Sequence, residues 1–393
     1  MTNLNQESLE LHKKYKGKIG ISLAFEINDK KSLSLAYTPG VAEVSRVLAA
    51  DKENAYEYSI KSHTVAVVSD GSAVLGLGNI GPYGALPVME GKAALFKAFG
   101  GVDAFPICLD TQNPDEIIDI VKKISPTFGG INLEDIKAPY CFKIEDALQD
   151  LGIPVFHDDQ HGTAIVVLAA IVNAAKVTGK AMNDMNIIIN GAGAAGTAIA
   201  KILAFADKNK HPEMKPKNII MCDSKGIIGK HREDIIGMYK EDFLEFTNID
   251  NLEGGLAEAV AGTDVFIGVS KADLLTPEMV ATMKSNPIVF AMANPNPEIS
   301  YENAQKAKIA VFGTGRSDYP NQINNVLAFP GIFRGALRAR APQITMEMKL
   351  AAAVALAGCV EPSADRVLPD PFEKSVHNKV ADAVADCMKE RLI

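Results

Sequence analysis

The sequence predicts an α/β protein built from two parallel sheets in succession, and three observations carry that reading. From about residue 60 onward, short β-branched and apolar runs alternate with longer helical patterns, which is the signature of βαβ units. In the first half an acidic residue follows each such run. In the second half a strand pattern leads into Gly191-Ala192-Gly193-Ala194-Ala195-Gly196 and then a helical pattern, the context that gives G-x-G-x-x-G its meaning.

The first sheet is assigned to His63 to Ser69, Ala104 to Leu109, Phe128 to Leu133 and Val155 to His157. Helical stretches Leu86 to Phe99, Pro114 to Lys123 and Pro139 to Asp150 separate them, long enough for right-handed crossovers. The acids at the strand ends are Asp70, Asp110, Glu134 with Asp135, and Asp158 with Asp159. In a parallel sheet those ends share one edge, where ligands of open α/β sheets bind. For Asp70 and Asp110 a turn or cap role is the alternative, because Gly71-Ser72 and Thr111-Gln112-Asn113-Pro114 follow them.

Phe156-His157-Asp158-Asp159-Gln160-His161-Gly162-Thr163 comes next. Asp158, Gln160 and Gly162 predict a turn there, so the apolar helix is placed at Thr163 to Val177 and the domain division between residues 162 and 163. The strand Asn186 to Asn190, the glycine turn, a helix through Ala206 and the strand Asn218 to Cys222 ending at Asp223 then make a Rossmann-type dinucleotide-binding domain of residues 163–393. Gly191, Gly193, Ala194, Ala195 and Gly196 would receive the pyrophosphate at the helix N-terminus, and Asp223 the ribose hydroxyls. A polar insertion, Asp207 to Lys217, accounts for the late position of Asp223. That carboxylate favours NAD, with NADP possible through Lys225, Lys230 and Arg232. Strands Asp264 to Val269 and Pro287 to Met292 bring Ser270 and Asn294 to the same crevice. Val376, Val380, Ala383, Val384 and Cys387, at helical spacing, predict a C-terminal helix packed back on a core.

Composition excludes several classes. A net charge of -8, with 40 basic and 48 acidic residues spread without long runs, offers no footprint for nucleic acid. The N-terminus lacks the apolar core of a secretory signal, and no stretch reaches the roughly 18 uncharged apolar residues of a membrane span. A cytoplasmic protein with no membrane partner is expected. Five scattered cysteines without C-x-x-C spacing argue against a disulfide framework or a zinc knuckle.

Hydride transfer from an alcohol carbon needs a base for the hydroxyl proton and a group that polarises the new carbonyl. Glu134, Asp135 and Asp159 form an all-oxygen set suited to Mg²⁺ or Mn²⁺. His157 and His161 are expected to support the carboxylates by hydrogen bonds, with zinc ligation as the alternative. Lys92, after the loop GLGNIGPYG, is a candidate base or an ordinary solvated lysine. Tyr37, in AYTPGVA, is a candidate acid or a plain core aromatic.

Taken together, AYTPGVA (36–42), GLGNIGPYGALPVMEGK (76–92), INLEDI (131–136), FHDDQHGT (156–163), GAGAAG (191–196), ANPNPE (293–298) and GRSDYPNQINNVLAFPG (315–331) resemble the malic enzymes, in family order across nearly the whole chain. The size resembles the small, single-module microbial form. The resemblance implies that residues 1–162 are the malic-type substrate and metal domain. It implies Tyr37 as general acid, Lys92 as general base, both touching substrate, and Glu134, Asp135 and Asp159 as metal ligands with Asp158 beside them. Asn294 and Asn325 match its substrate-binding asparagines. Larger members carry an arginine for the substrate carboxylate where this chain has Ala73, so another group must hold that carboxylate, with Asn294, Asn325 and a partner subunit as candidates. The implied reaction is oxidative decarboxylation of L-malate to pyruvate and CO₂ with reduction of NAD or NADP. The alternatives are a malolactic enzyme, releasing lactate with NAD tightly held, or a redox-silent NAD-binding protein. At least a homodimer is implied, in which Tyr37 could reach a neighbour's crevice.

Overall fold

The computed structural model describes residues 2–74, 76–206 and 211–391; residues 207–210 of the expected polar insertion lie outside them. The first sheet comprises β1 (Thr64–Ser69), β2 (Asp103–Cys108), β3 (Gly130–Leu133) and β4 (Val155–His157), all parallel, in the order β2-β1-β3-β4. Residues of β1, β3 and β4 are buried throughout, as strands covered by helices on both faces must be. Every predicted strand of this sheet is present, with ends shifted by no more than two residues.

The second sheet comprises β5 (Asn186–Asn190), β6 (Asn218–Asp223), β7 (Gly226–Ile227), β8 (Val265–Gly268), β9 (Ile288–Ala291) and β10 (Val311–Thr314), in the order β10-β9-β8-β5-β6-β7. All pairs are parallel except the short β6–β7 hairpin. Chain order reverses at β5, with β6 on one side and β8 on the other. That is the position where an open sheet leaves a ligand crevice beyond its strand ends, and the glycine turn leaves β5 there. Sequence reasoning did not place β7 or β10, each too short to show a period.

One expectation is corrected. Residues 158–162 are not a turn: the helix runs Asp158–Thr178, starting directly after β4 with His157 at its N-cap. Asp158 and Asp159 suit the first turn because carboxylates are favoured at the positive end of a helix. Gly162, counted as a breaker, is needed inside the helix, since a Cβ there would lie 1.9 Å from Asp158 Oδ1 and 3.1 Å from Asn325 Cβ. The division drawn between residues 162 and 163 therefore falls within this helix. By length and composition it could cross a membrane, yet 67% of its apolar window is buried inside the protein. It is the central core helix, packed on the helix Ala194–Ala204 behind the glycine turn.

The C-terminal helix, Lys374–Arg391, packs against Phe329–Arg338 and Met346–Ala357 as expected. Gly331 and Gly335 permit the approach: a Cβ on Gly335 would stand 2.4 Å from Ala381 O. The N-terminal region differs. Helices Lys30–Ala36 and Val41–Ala50 contain no buried residue, and Ile21, Leu23, Phe25, Leu35 and Tyr37 are exposed.

Candidate active site

The carboxyl ends of β1, β3 and β4 gather the predicted acids. Asp70, directly after β1, turns the chain by accepting the Ser72 backbone N–H at 2.9 Å, so its role is the turn role. Asp110 is exposed and stands apart. After β3, Glu134 and Asp135 are buried, with Asp135 in the left-handed region at φ 54°. This φ turns Asp135 back so that its N–H donates to Asp159 Oδ2 at 2.8 Å. One oxygen from each of Glu134, Asp135 and Asp159 lies within 4.8 Å of the others.

Lys92 comes to this cluster from the helix Gly81–Leu95 and is 7% exposed. Its Nζ lies 2.8 Å from Glu134 Oε1, donates to Asp158 Oδ2, and sits 4.0 Å from the Phe329 ring centroid. Burial alone would lower its proton affinity, but the Asp158 and Glu134 charges outweigh burial and raise it. The reverse holds for the acids. Burial pushes Asp158 up to about 8 despite Lys92, and it raises Glu134 and Asp159 as well. Four carboxylates thus crowd one lysine, three of them buried and Asp159 half-buried, an excess of negative charge that a hard divalent cation matches in both charge and donor type. The residues present fit Mg²⁺ or Mn²⁺ on Glu134, Asp135 and Asp159.

Asn325 Nδ2 lies 2.5 Å from Asp158 Oδ2, so this asparagine belongs to the cluster. Asn132, which sequence reasoning missed, donates to Glu134 Oε2 at 2.8 Å; an asparagine inside an apolar strand was the signal. Ala73 N–H donates to Asp135 O at 2.9 Å, placing position 73 beside the cluster with only a methyl group to offer. His157 Nε2 is 3.7 Å from Asp159 Oδ2, whereas His161 turns to Glu145 at 2.9 Å. Tyr37 does not join. Its residue is 68% exposed and, among the described residues, its hydroxyl has no hydrogen-bond partner.

The glycine turn follows β5. Gly191, at φ 129°, allows the bend, and a Cβ there would lie 2.6 Å from Val269 O. Gly196 lets helix and strand touch, since its Cβ would fall 1.8 Å from Gly191 O. Gly193, the N-cap of the helix Ala194–Ala204, faces open space where a phosphate can approach, and Ala194 and Ala195 open that helix. Asp223 departs from the expectation. Both its oxygens are already engaged, by Arg232 at 3.1 and 3.2 Å and by Lys240 at 2.6 Å. Burial opposes its charge, but hydrogen bonds from Arg232, Lys240 and the Lys225 N–H hold it at about 2. The carboxylate expected to face a ribose therefore carries a charge that two cations offset.

Ser270 Oγ accepts from Asn190 Nδ2 at 3.0 Å, and Asn294 Nδ2 donates to Met292 O at 3.2 Å. Their strand ends are tied by Glu298, a fully buried residue that was missed. It accepts from Ser270 N–H at 3.0 Å and Ala293 N–H at 3.1 Å. A glutamate closing the ANPNPE turn was its only trace in the sequence.

A Rossmann-type crevice beside a lysine held among metal-type carboxylates defines an oxidoreductase that uses a dinucleotide. The family description "Malic enzyme, N-terminal domain" matches residues 16–149 and "Malic enzyme, NAD binding domain" matches residues 160–389, and the chain belongs to the malic enzyme family. It is 54% identical over 392 residues to a bifunctional malic/malolactic enzyme of Bacillus subtilis, covering 99% of this chain and 94% of that one. It is 53% identical to an NAD-dependent malic enzyme of Geobacillus stearothermophilus, over 94% of this chain and 76% of the relative. The solved NAD-dependent malic enzyme of Thermotoga maritima superposes with a TM-score of 0.91 at 50% identity, over 96% and 98% of the two chains.

Proposed function

We propose that this chain oxidatively decarboxylates L-malate to pyruvate and CO₂ with reduction of NAD or NADP. The observation that carries the reading is Lys92, buried between Glu134 and Asp158 and beside the carboxylates of Asp135 and Asp159. A bound nicotinamide would supply hydride acceptance, and a divalent cation on Glu134, Asp135 and Asp159 would supply Lewis-acid polarisation of a hydroxyl or carbonyl oxygen.

Lys92 takes the C2 hydroxyl proton. It is charged while Asp158 and Glu134 both face it; once Glu134 is engaged elsewhere, one counter-charge is lost and burial favours the neutral amine. Asp158, bonded to both Lys92 and Asn325, can carry that proton onward. Asn325 and Asn294 orient the substrate carboxylates in place of the group that Ala73 lacks. The aromatic wall of Phe329 excludes water on the far side of Lys92. After CO₂ leaves, a proton must reach C3, the role proposed for Tyr37.

Tyr37 would act in the site of a second copy. Its own exposure, and that of Ile21, Leu23, Phe25 and Leu35, supports an N-terminal face that another chain covers. Mixing Tyr37→Phe and Lys92→Ala proteins should then restore turnover in heterodimers; a mixture as inactive as its parts would remove shared sites.

Purified chain with L-malate, NAD or NADP and Mn²⁺ should accumulate pyruvate and reduced dinucleotide together. Absence of both with either dinucleotide would sink the reading. The Bacillus subtilis relative is named as bifunctional, which favours one second reading: lactate formed without net accumulation of NADH identifies malolactic turnover.

A further inference from the structure

A second cavity, of 170 Å³, lies between the helices Tyr140–Leu148, Asp158–Thr178 and Ala194–Ala204 and the stretch leading into Met346–Ala357. It belongs neither to the carboxylate cluster nor to the dinucleotide crevice. Its floor is formed by Glu145, Gln160, His161 and Lys349. Glu145 is fully committed: it accepts from His157 N–H at 2.9 Å, Gln160 Nε2 at 3.0 Å and His161 Nε2 at 2.9 Å. Lys349 is not. Among the described residues its Nζ makes no hydrogen bond or ion pair; the Phe156 ring centroid lies 5.9 Å from Nζ, and the Glu145 charge attracts it from beyond ion-pair distance.

Lys349 is half-buried; taking an ammonium partly out of water without a hydrogen-bonded partner is costly, and here burial outweighs the Glu145 charge and brings Lys349 down to about 8. A second cation, Lys201, stands exposed at the mouth, likewise without a hydrogen bond or ion pair among the described residues, beside the exposed Asp146. The walls are apolar: Phe142, Ile202, Ile344 and Met346. The volume is below the roughly 300 Å³ at which pockets for drug-sized ligands begin, so the occupant has few heavy atoms.

We infer that this cavity is a second binding site, for a small organic carboxylate whose charged end meets Lys349 and whose short apolar body lies against Ile202 and Ile344. Occupancy would be felt by the reacting cluster, because Gln160 and His161 on the floor share one helical turn with Asp158 and Asp159.

Propionate titrated into the purified full chain, with sodium chloride at matched ionic strength as reference, tests the site by calorimetry. Wild type should bind propionate above the chloride background. Lys349→Met should weaken it at least tenfold, and Lys349→Arg should retain it. Lys201→Gln, at an exposed position where folding is not at risk, should weaken it severalfold. Heat indistinguishable from chloride in wild type, or binding unchanged in both Lys349→Met and Lys201→Gln, overturns the proposal. The readout is binding, so it stands whether or not malate is the substrate.

Discussion

Lys92 Nζ lies 2.8 Å from Glu134 Oε1, so the cation of this site and one of its metal-type carboxylates share a buried contact. Lys92→Ala should therefore remove proton transfer and leave four acids facing each other. Turnover should fall by on the order of 10³-fold, within the range for a lost acid/base group. Dinucleotide affinity, followed by fluorescence of bound NADH, should stay within about twofold, because the glycine turn is untouched.

Asp159→Asn removes one of three convergent oxygens and keeps the side-chain shape. Mn²⁺ affinity, read by electron paramagnetic resonance, should drop by more than the roughly tenfold typical of outer supporting groups. Chelation of the wild type should abolish turnover, and added Mn²⁺ should restore it.

Asp223 is bound on both oxygens by Arg232 and Lys240. Asp223→Ala would free Lys240 and leave Arg232 held by Asp234 alone, and should improve kcat/KM for NADP relative to NAD by about tenfold, equivalent to about 1.4 kcal/mol. An unchanged ratio would show that neither cation reaches a 2′-phosphate.

Gly196→Ala places a methyl group 1.8 Å from Gly191 O. Helix and strand must separate, at a cost of about 3 kcal/mol, and thermal unfolding should report it. Gly193→Ala meets no atom within 4 Å, so it should leave stability nearly unchanged while weakening dinucleotide binding.

Glu145 is buried, which works against its charge, but the charge and hydrogen bond of His161, with the charges of Lys349 and His157, hold it at about 2, below the usual glutamate value of 4.5. A carboxyl depressed in the folded state stabilises fully above its unfolded value and loses that contribution as pH falls toward the folded one. Stability should thus decline from about pH 4.5 to about pH 2. Glu145→Gln should flatten the curve there and cost about 2 kcal/mol at neutral pH by leaving buried donors poorly matched. Urea unfolding across that range decides it.

The first sheet and strands β5, β6, β8 and β9 of the second were legible because buried parallel strands are apolar and their crossovers long, whatever the sequence around them. The cluster of Glu134, Asp135 and Asp159 was legible because strand ends in one sheet share an edge. The helix start at Asp158 was not. Local rules read Asp and Gly as breakers, and only the positive helix end and the tight space beside Asn325 make both residues favourable there. The cations on Asp223 come from residues 9 and 17 positions onward, beyond any local pattern. The exposure of Tyr37 beside the burial of Lys92 is likewise tertiary, since a motif names residues without saying how the fold places them.

The helix Asp158–Thr178 carries Asp158 and Asp159 on its first turn, and its buried body leans on the helix that begins at the glycine turn. The candidate metal carboxylates and the glycine turn are thus braced against each other by one packed pair of helices. A distortion anywhere along it moves alcohol carbon and nicotinamide relative to each other, so defects in this core should show as slowed hydride transfer, with a larger deuterium isotope effect, before either ligand is bound measurably less well.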